Sequence, residues 1–264
     1  MSFAVPSTLS DSTPLLPYWH LFTRLGEAQV LAPLAVVALL GLWACPTQRG
    51  VARRWLPAFL TVLALTLGSK VAFMGWGIGS AEWDFTGFSG HAMSAASVLP
   101  LIAWLGLQAI GSAPLRLTGL SLAYALAAAI AYSRLPVGAH SPSEALLGFT
   151  LGALASGVAL ARPLKEALAG SRQAWRAFRQ GRGAGIDGFE SQTGAAPARV
   201  LRRSAFLALG MAAILAIAPW ASPPTRSHQW VTALSLKLSG RPEPFTRHLL
   251  HRRAGGARTL ASAR

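Results

Sequence analysis

The sequence predicts an all-α, polytopic membrane protein with about six transmembrane helices, and three observations carry that reading. Of its 264 residues, 52% are hydrophobic and only 12% are charged, where an ordinary soluble domain carries about 25% charge. Mean hydropathy is +0.42. Six apolar stretches also reach or approach the ~20 residues that a spanning helix needs. They cover residues 28–45, 55–76, 92–110, 115–132, 145–161 and 205–220.

Each stretch has its own justification. The first four are continuous runs of Leu, Ala, Val, Ile and aromatic residues with almost no charge. The last two are short and rich in alanine, which leaves their ends soft. No basic region precedes the first run, and Pro6, Asp11, Pro14, Pro17 and Glu27 interrupt the chain before it. The first span therefore reads as a retained helix rather than a signal peptide, with an interfacial segment near Leu15–Phe22 ahead of it. The organisation expected is an outer or interfacial segment at 1–27, a membrane domain at 28–220 with a cytoplasmic basic loop at 162–203, and a basic C-terminal tail at 221–264.

Several classes drop out. Long disorder needs few apolar residues and much charge. A disulfide scaffold cannot be built from Cys45 alone. The net charge of +15 lies in links between apolar runs, with no aromatic interleaving or folded module of the kind that nucleic-acid binding uses. Its distribution instead fixes orientation. Thirteen Lys and Arg fall in the links after spans one, three and five, from Arg49 to Arg203. The opposite side holds Arg24, Lys70, Arg134 and the tail, whose eight basic residues lie mostly far from the last span. The thirteen are expected to be cytoplasmic, with both termini outside. Gly148 and Gly152 form a small-xxx-small pair in span five, the pattern of close helix packing.

With this topology, four helix ends meet at the outer face, and the unusual polar residues collect there. Lys70 sits inside the second apolar run. Span three opens with Asp84-Phe-Thr-Gly-Phe-Ser-Gly-His91, and spans four and five are joined by Ser133-Arg-Leu-Pro-Val-Gly-Ala-His140-Ser-Pro-Ser-Glu144. His91 and His140 are 49 positions apart, which suits one helix down, one helix up and an outer loop between them. Taken singly, each residue has an ordinary explanation. Lys70 can snorkel to the headgroups, Arg134 can anchor an interface, and Ser89 and Ser141 can cap helices. Ser141-Pro-Ser-Glu144 has the spacing of a capping box with proline at the first helical position.

Together they suit phosphoryl chemistry. Cations and the free amides of two helix N-termini can hold a phosphate ester, and Gly90 allows close approach of backbone to an anion. One histidine can attack phosphorus while the second protonates the leaving oxygen. A carboxylate on the far nitrogen of the first would fix its tautomer, as in a triad. No acidic cluster or His/Cys set with metal spacing accompanies these residues.

At these positions the sequence resembles the type 2 phosphatidic acid phosphatase (PAP2) superfamily, whose motifs have the forms K-x6-R-P, P-S-G-H and S-R-x5-H-x3-D. Ser89-Gly90-His91 matches the second, and Ser133-Arg134-x5-His140-x3-Glu144 matches the third with glutamate for aspartate. Phe88 stands in place of the second motif's proline. Lys70 matches the start of the first motif, but Gly77-Ile78 stands where the family has Arg-Pro. The resemblance covers about residues 70–148 by motif. It implies a PAP2-like helical bundle and a reaction without a metal or other cofactor. It further implies His140 as nucleophile, His91 as general acid, Glu144 as the group orienting His140, and Lys70, Ser89, Gly90 and Arg134 as phosphate ligands. The expected substrate is a lipid phosphate or diphosphate at the outer leaflet of a bacterial inner membrane, among membrane lipids and without nucleic acid. A phosphotransferase, or a non-catalytic protein that binds or moves lipid phosphates, remains open at this stage, as do the particular lipid and the oligomeric state.

Overall fold

In the computed structural model the described residues are 15–107, 113–179 and 227–262, with Gly210, Ala213, Ile214 and Ile217 besides. They form helices α1 (Leu16–Thr23), α2 (Ala28–Ala44), α3 (Arg49–Trp76), α4 (Gly90–Gly106), α5 (Ala113–Ser133), α6 (Pro142–Arg179), α7 (Ser227–Ser239) and α8 (Arg247–Ser262). Among the described residues the only extended pairing is an isolated bridge between Ser80 and Phe85.

Four helical stretches are long and apolar enough to cross a membrane: Leu16–Ala44, Pro46–Trp76, Pro114–Ser133 and Pro142–Gly170. Their outward faces leave Val36, Leu40, Leu60, Leu65, Leu122, Leu154 and Val158 exposed. Water would penalise so much bare apolar surface, whereas lipid accepts it. The third expected span appears as α4, apolar but shorter, at 17 residues. The sixth, 205–220, falls outside the described residues apart from the four positions named above.

Two elements differ from the sequence reading. The basic link expected to be a loop from residue 162 is helical as far as Arg179, because Ala, Leu, Lys, Glu, Gln and Arg favour helix strongly enough to carry it through Gly170. The expected C-terminal tail instead includes two helices, α7 and α8. Its segment packs on α3, where the Phe245 N–H donates to the Met74 carbonyl at 2.9 Å.

Helix α4 is the centre of the bundle. Eleven of its 17 side chains are buried, and it packs against α2, α3, α5 and α6. Small residues set its distance from α6. A Cβ on Gly148 would stand 2.5 Å from the Ser89 carbonyl oxygen, and one on Gly152 would stand 2.1 Å from that of Met93. Ser156 adds a hydrogen bond to the Ala96 carbonyl at 2.8 Å. The glycine pair thus lets two backbones touch, as its spacing predicts. It also fixes the register of the two helix N-termini, because the Ser89 N–H donates to the Glu144 carbonyl at 3.1 Å.

Gly152→Ala should therefore destabilise the protein by about 1–3 kcal/mol through overpacking. Gly157→Ala, whose Cβ meets nothing within 4 Å, should not. Thermal unfolding of the two variants in the same detergent checks this, and equal midpoints would show that the close approach does not set the packing.

Candidate active site

The ends of α3 and α5 and the starts of α4 and α6 surround a cavity of about 650 Å³. Its walls include Lys70, Gly90, His91, Arg134 and His140, together with Thr86 and Arg247. Leu63, Leu67, Met74, Met93 and Val231 line it as well. Polar and apolar walls thus share one space.

Local structure explains why the residues of the third motif stand at fixed spacing. After Ser133 the chain turns, and the Arg134 carbonyl accepts from the N–H groups of Ala139 and His140 at 3.1 and 3.3 Å. Gly138 has φ +65°, a left-handed conformation that glycine adopts without cost. The closed turn delivers His140 to the start of α6. There Ser141 caps the helix, with the Glu144 N–H pointing to its Oγ at 3.4 Å. The Glu144 carboxylate reaches back to the Ser141 N–H at 3.1 Å. The capping box expected at these positions is present.

The same carboxylate also holds His140. Its Oε2 lies 2.7 Å from His140 Nδ1. An ionised carboxylate only accepts, so the neutral imidazole carries its proton on Nδ1 and leaves Nε2 with a lone pair. Oε1 accepts from the Thr86 N–H at 2.6 Å and from the Thr86 hydroxyl. Glu144 is fully buried and does not line the cavity, so it acts on it through the wall residues it bonds, His140 first.

His91 enters from the first turn of α4. The turn before α2 lies so close that a Cβ on Gly26 would be 3.0 Å from the His91 Cβ. Lys70 comes from the last turns of α3, and its Nζ would be 4.0 Å from a Cβ on Gly90. The Arg134 Nη1 donates to the Thr23 hydroxyl at 2.6 Å. Its Nε is buried and lacks a hydrogen-bond partner among the described residues, a condition that costs free energy unless a ligand supplies an acceptor. Ser89 is placed differently from its expected role. It is fully buried, does not line the cavity, and its hydroxyl accepts from the Ala92 N–H at 3.5 Å as the cap of α4.

Two residues at this site were missed in the sequence. Arg247, at the start of α8, donates from Nη2 to Glu144 Oε2 at 2.8 Å and from Nη1 to Asp84 Oδ2 at 2.8 Å. Asp84, at φ +47°, also bonds His251 Nε2 at 2.8 Å. The loop that carries Asp84 and Thr86 is fastened to α3 by the Phe88 N–H donating to Ser69 Oγ at 3.1 Å. Asp84 carries the wrong charge for a phosphate ligand, and it holds the Arg247 cation instead. Nothing local in the C-terminal sequence marks Arg247.

Fold and site together define an all-helical protein with several membrane-length helices and a histidine–carboxylate pair beside a cation-lined cavity. No model of a known protein family matches the chain, and no solved structure matches it. It is 42% identical over 142 residues to an uncharacterized 22.5 kDa protein in the cps region of Klebsiella pneumoniae, a match that covers 54% of this chain and 68% of that protein. The chain belongs to the same family as that protein.

The surroundings of His140 also set its charge. Burial holds the imidazole below the ordinary value of 6.5, while the hydrogen bond to Glu144 pulls it part of the way back. Lys70 and Arg134 push it down further. His140 is therefore neutral at pH 7, and Glu144→Gln, which removes an upward influence, should lower its pKa again. Histidine-selective NMR titration of the full-length protein checks both statements. A wild-type value at or above 6.5, or no fall in the variant, would contradict them.

Proposed function

We propose that the protein is a metal-independent phosphatase of PAP2 type that hydrolyses a lipid phosphate or diphosphate. The observation that carries the reading is the 2.7 Å contact between His140 Nδ1 and Glu144, on a cavity that also holds His91, Lys70 and Arg134. Cations favour a phosphate dianion, and the apolar walls suit the first carbons of a lipid. The resemblance at Ser89-Gly90-His91 and Ser133-Arg134-x5-His140 supports the same chemistry.

In the proposed reaction, the phosphoryl group lies between Lys70, Arg134 and the free N–H of Gly90 at the start of α4, where the helix dipole favours negative charge. The lone pair of His140 Nε2 attacks phosphorus. The N–P bond forms as the bond to the lipid oxygen breaks, and His91 gives that oxygen its proton. Glu144 stabilises the positive ring of the phosphohistidine. Water then attacks phosphorus, neutral His91 accepts its proton, the N–P bond breaks and phosphate leaves. Both histidines return to their starting states. The bias of basic residues in the links supports a site at the outer leaflet, and the bacterial source of the relative supports an inner membrane. A six-span bundle, with 205–220 as the last span, completes the reading.

Purified full-length protein should release phosphate from one or more lipids in a panel of phosphatidate, phosphatidylglycerol phosphate and undecaprenyl diphosphate, with EDTA present. His140→Ala should abolish release. His91→Ala should slow it by about 10²–10⁴-fold, the usual contribution of a general acid. Release from every active lipid at equal rates by wild type and His140→Ala would refute the mechanism. Binding of these lipids without any release would favour a non-catalytic lipid-phosphate protein.

A further inference from the structure

The cation set of the cavity has one member whose position is set by the chain's C-terminal segment. Helix α3 stops at Gly77, which has φ +72° and forms a left-handed helix cap. A Cβ there would lie 3.0 Å from the ring of Phe245, so this position has no room for a side chain. Phe245 is buried, and its ring is flanked by the guanidinium groups of Arg241 at 3.9 Å and Arg253 at 4.5 Å. Its N–H is tied to Met74. The segment is thus docked on the end of α3, two residues before Arg247.

Asp84 and Glu144 hold Arg247 from two sides, through different nitrogens. The side chain remains 36% exposed and lines the cavity. A guanidinium has five N–H donors in a planar fork. The two carboxylates and a 3.5 Å approach of Nη2 to the Thr86 hydroxyl occupy three at most. At least two donors remain to meet phosphoryl oxygens, and the charge is permanent.

We propose that Arg247 is a phosphate-binding residue of the cavity, supplied by the docked C-terminal segment at the end of α3 that Gly77 leaves without a side chain. The proposal rests on the reading of the cavity as a phosphate site. Asp84 is then the positioning residue for Arg247. The competing role is purely structural, with Arg247 neutralising the buried Glu144 carboxylate and making no contact with the ligand.

Anion binding separates the two roles. Titration calorimetry of the full-length protein in detergent, with inorganic phosphate as the probe, should show binding by wild type. Arg247→Gln should weaken it by about tenfold or more, the usual size of a lost charge-assisted hydrogen bond. Arg252→Gln removes the same charge from an exposed position of the same helix and should leave affinity unchanged. Arg247→Lys keeps a charge for Glu144 but loses the fork, and it should bind phosphate more weakly than wild type. It therefore decides the matter where Arg247→Gln does not fold. Affinity within about twofold of wild type in whichever Arg247 variant is folded would overturn the proposal. Release of phosphate from dioctanoyl phosphatidate by wild type, measured alongside, would show that the phosphatase reading survives that result. Wild type that neither binds phosphate nor releases it would overturn both.

Discussion

One buried carboxylate organises the site. Glu144 is fully buried, and an isolated charge in such a place would be prohibitively costly. Five hydrogen bonds offset that cost, from the Thr86 amide and hydroxyl, the Ser141 amide, His140 and Arg247. They come from four parts of the architecture: the loop after α3, the cap of α6, the turn after α5 and the C-terminal segment. The four parts are thus coupled through a single side chain. The extra methylene of glutamate over aspartate fits this arrangement. It lets the carboxylate close the capping box from the third helical position and still meet the imidazole.

Beneath the carboxylate, the close contact of α4 with α6 holds the two helix starts in register. Gly148 and Gly152 allow backbone to touch backbone, and a lipid-solvated bundle has little other than such packing and hydrogen bonding to draw its helices together. The consequence for the site is rigidity. His91 and His140 stand on the first turns of, or immediately before, the two most tightly packed helices. Such rigidity suits the proposed reaction, because stabilising developing charge works best with groups that do not reorganise.

Much of this was legible in the sequence, for physical reasons that can be named. Apolar length shows α2, α3, α5 and the start of α6 because a bilayer imposes that length. Ser133 to Glu144 is legible because its spacing belongs to one closed turn and one helix cap, both local structures. Ser141 and Glu144 read as a capping box and are one. Other features depend on contacts between distant parts of the chain, and these were hidden. Arg247 lies in a stretch whose charges look like solubility or topology signals, and only docking of Phe245 on α3 brings it to Glu144. Asp84 carries the wrong charge for an anion site, and only its contact with Arg247 shows that it orients a cation there. Ser89 kept its motif but took the capping role, which its N-terminal position already offered.

The central claim is that His140, oriented by Glu144, forms a covalent bond to phosphorus. The most direct test is to incubate the full-length protein with dioctanoyl phosphatidate labelled with ³²P, denature it in alkali, where phosphohistidine survives, and locate the label by peptide mapping. The account predicts label on the peptide that carries His140 in wild type and none in His140→Ala. Turnover without any label at His140, or label elsewhere that persists in His140→Ala, would contradict it.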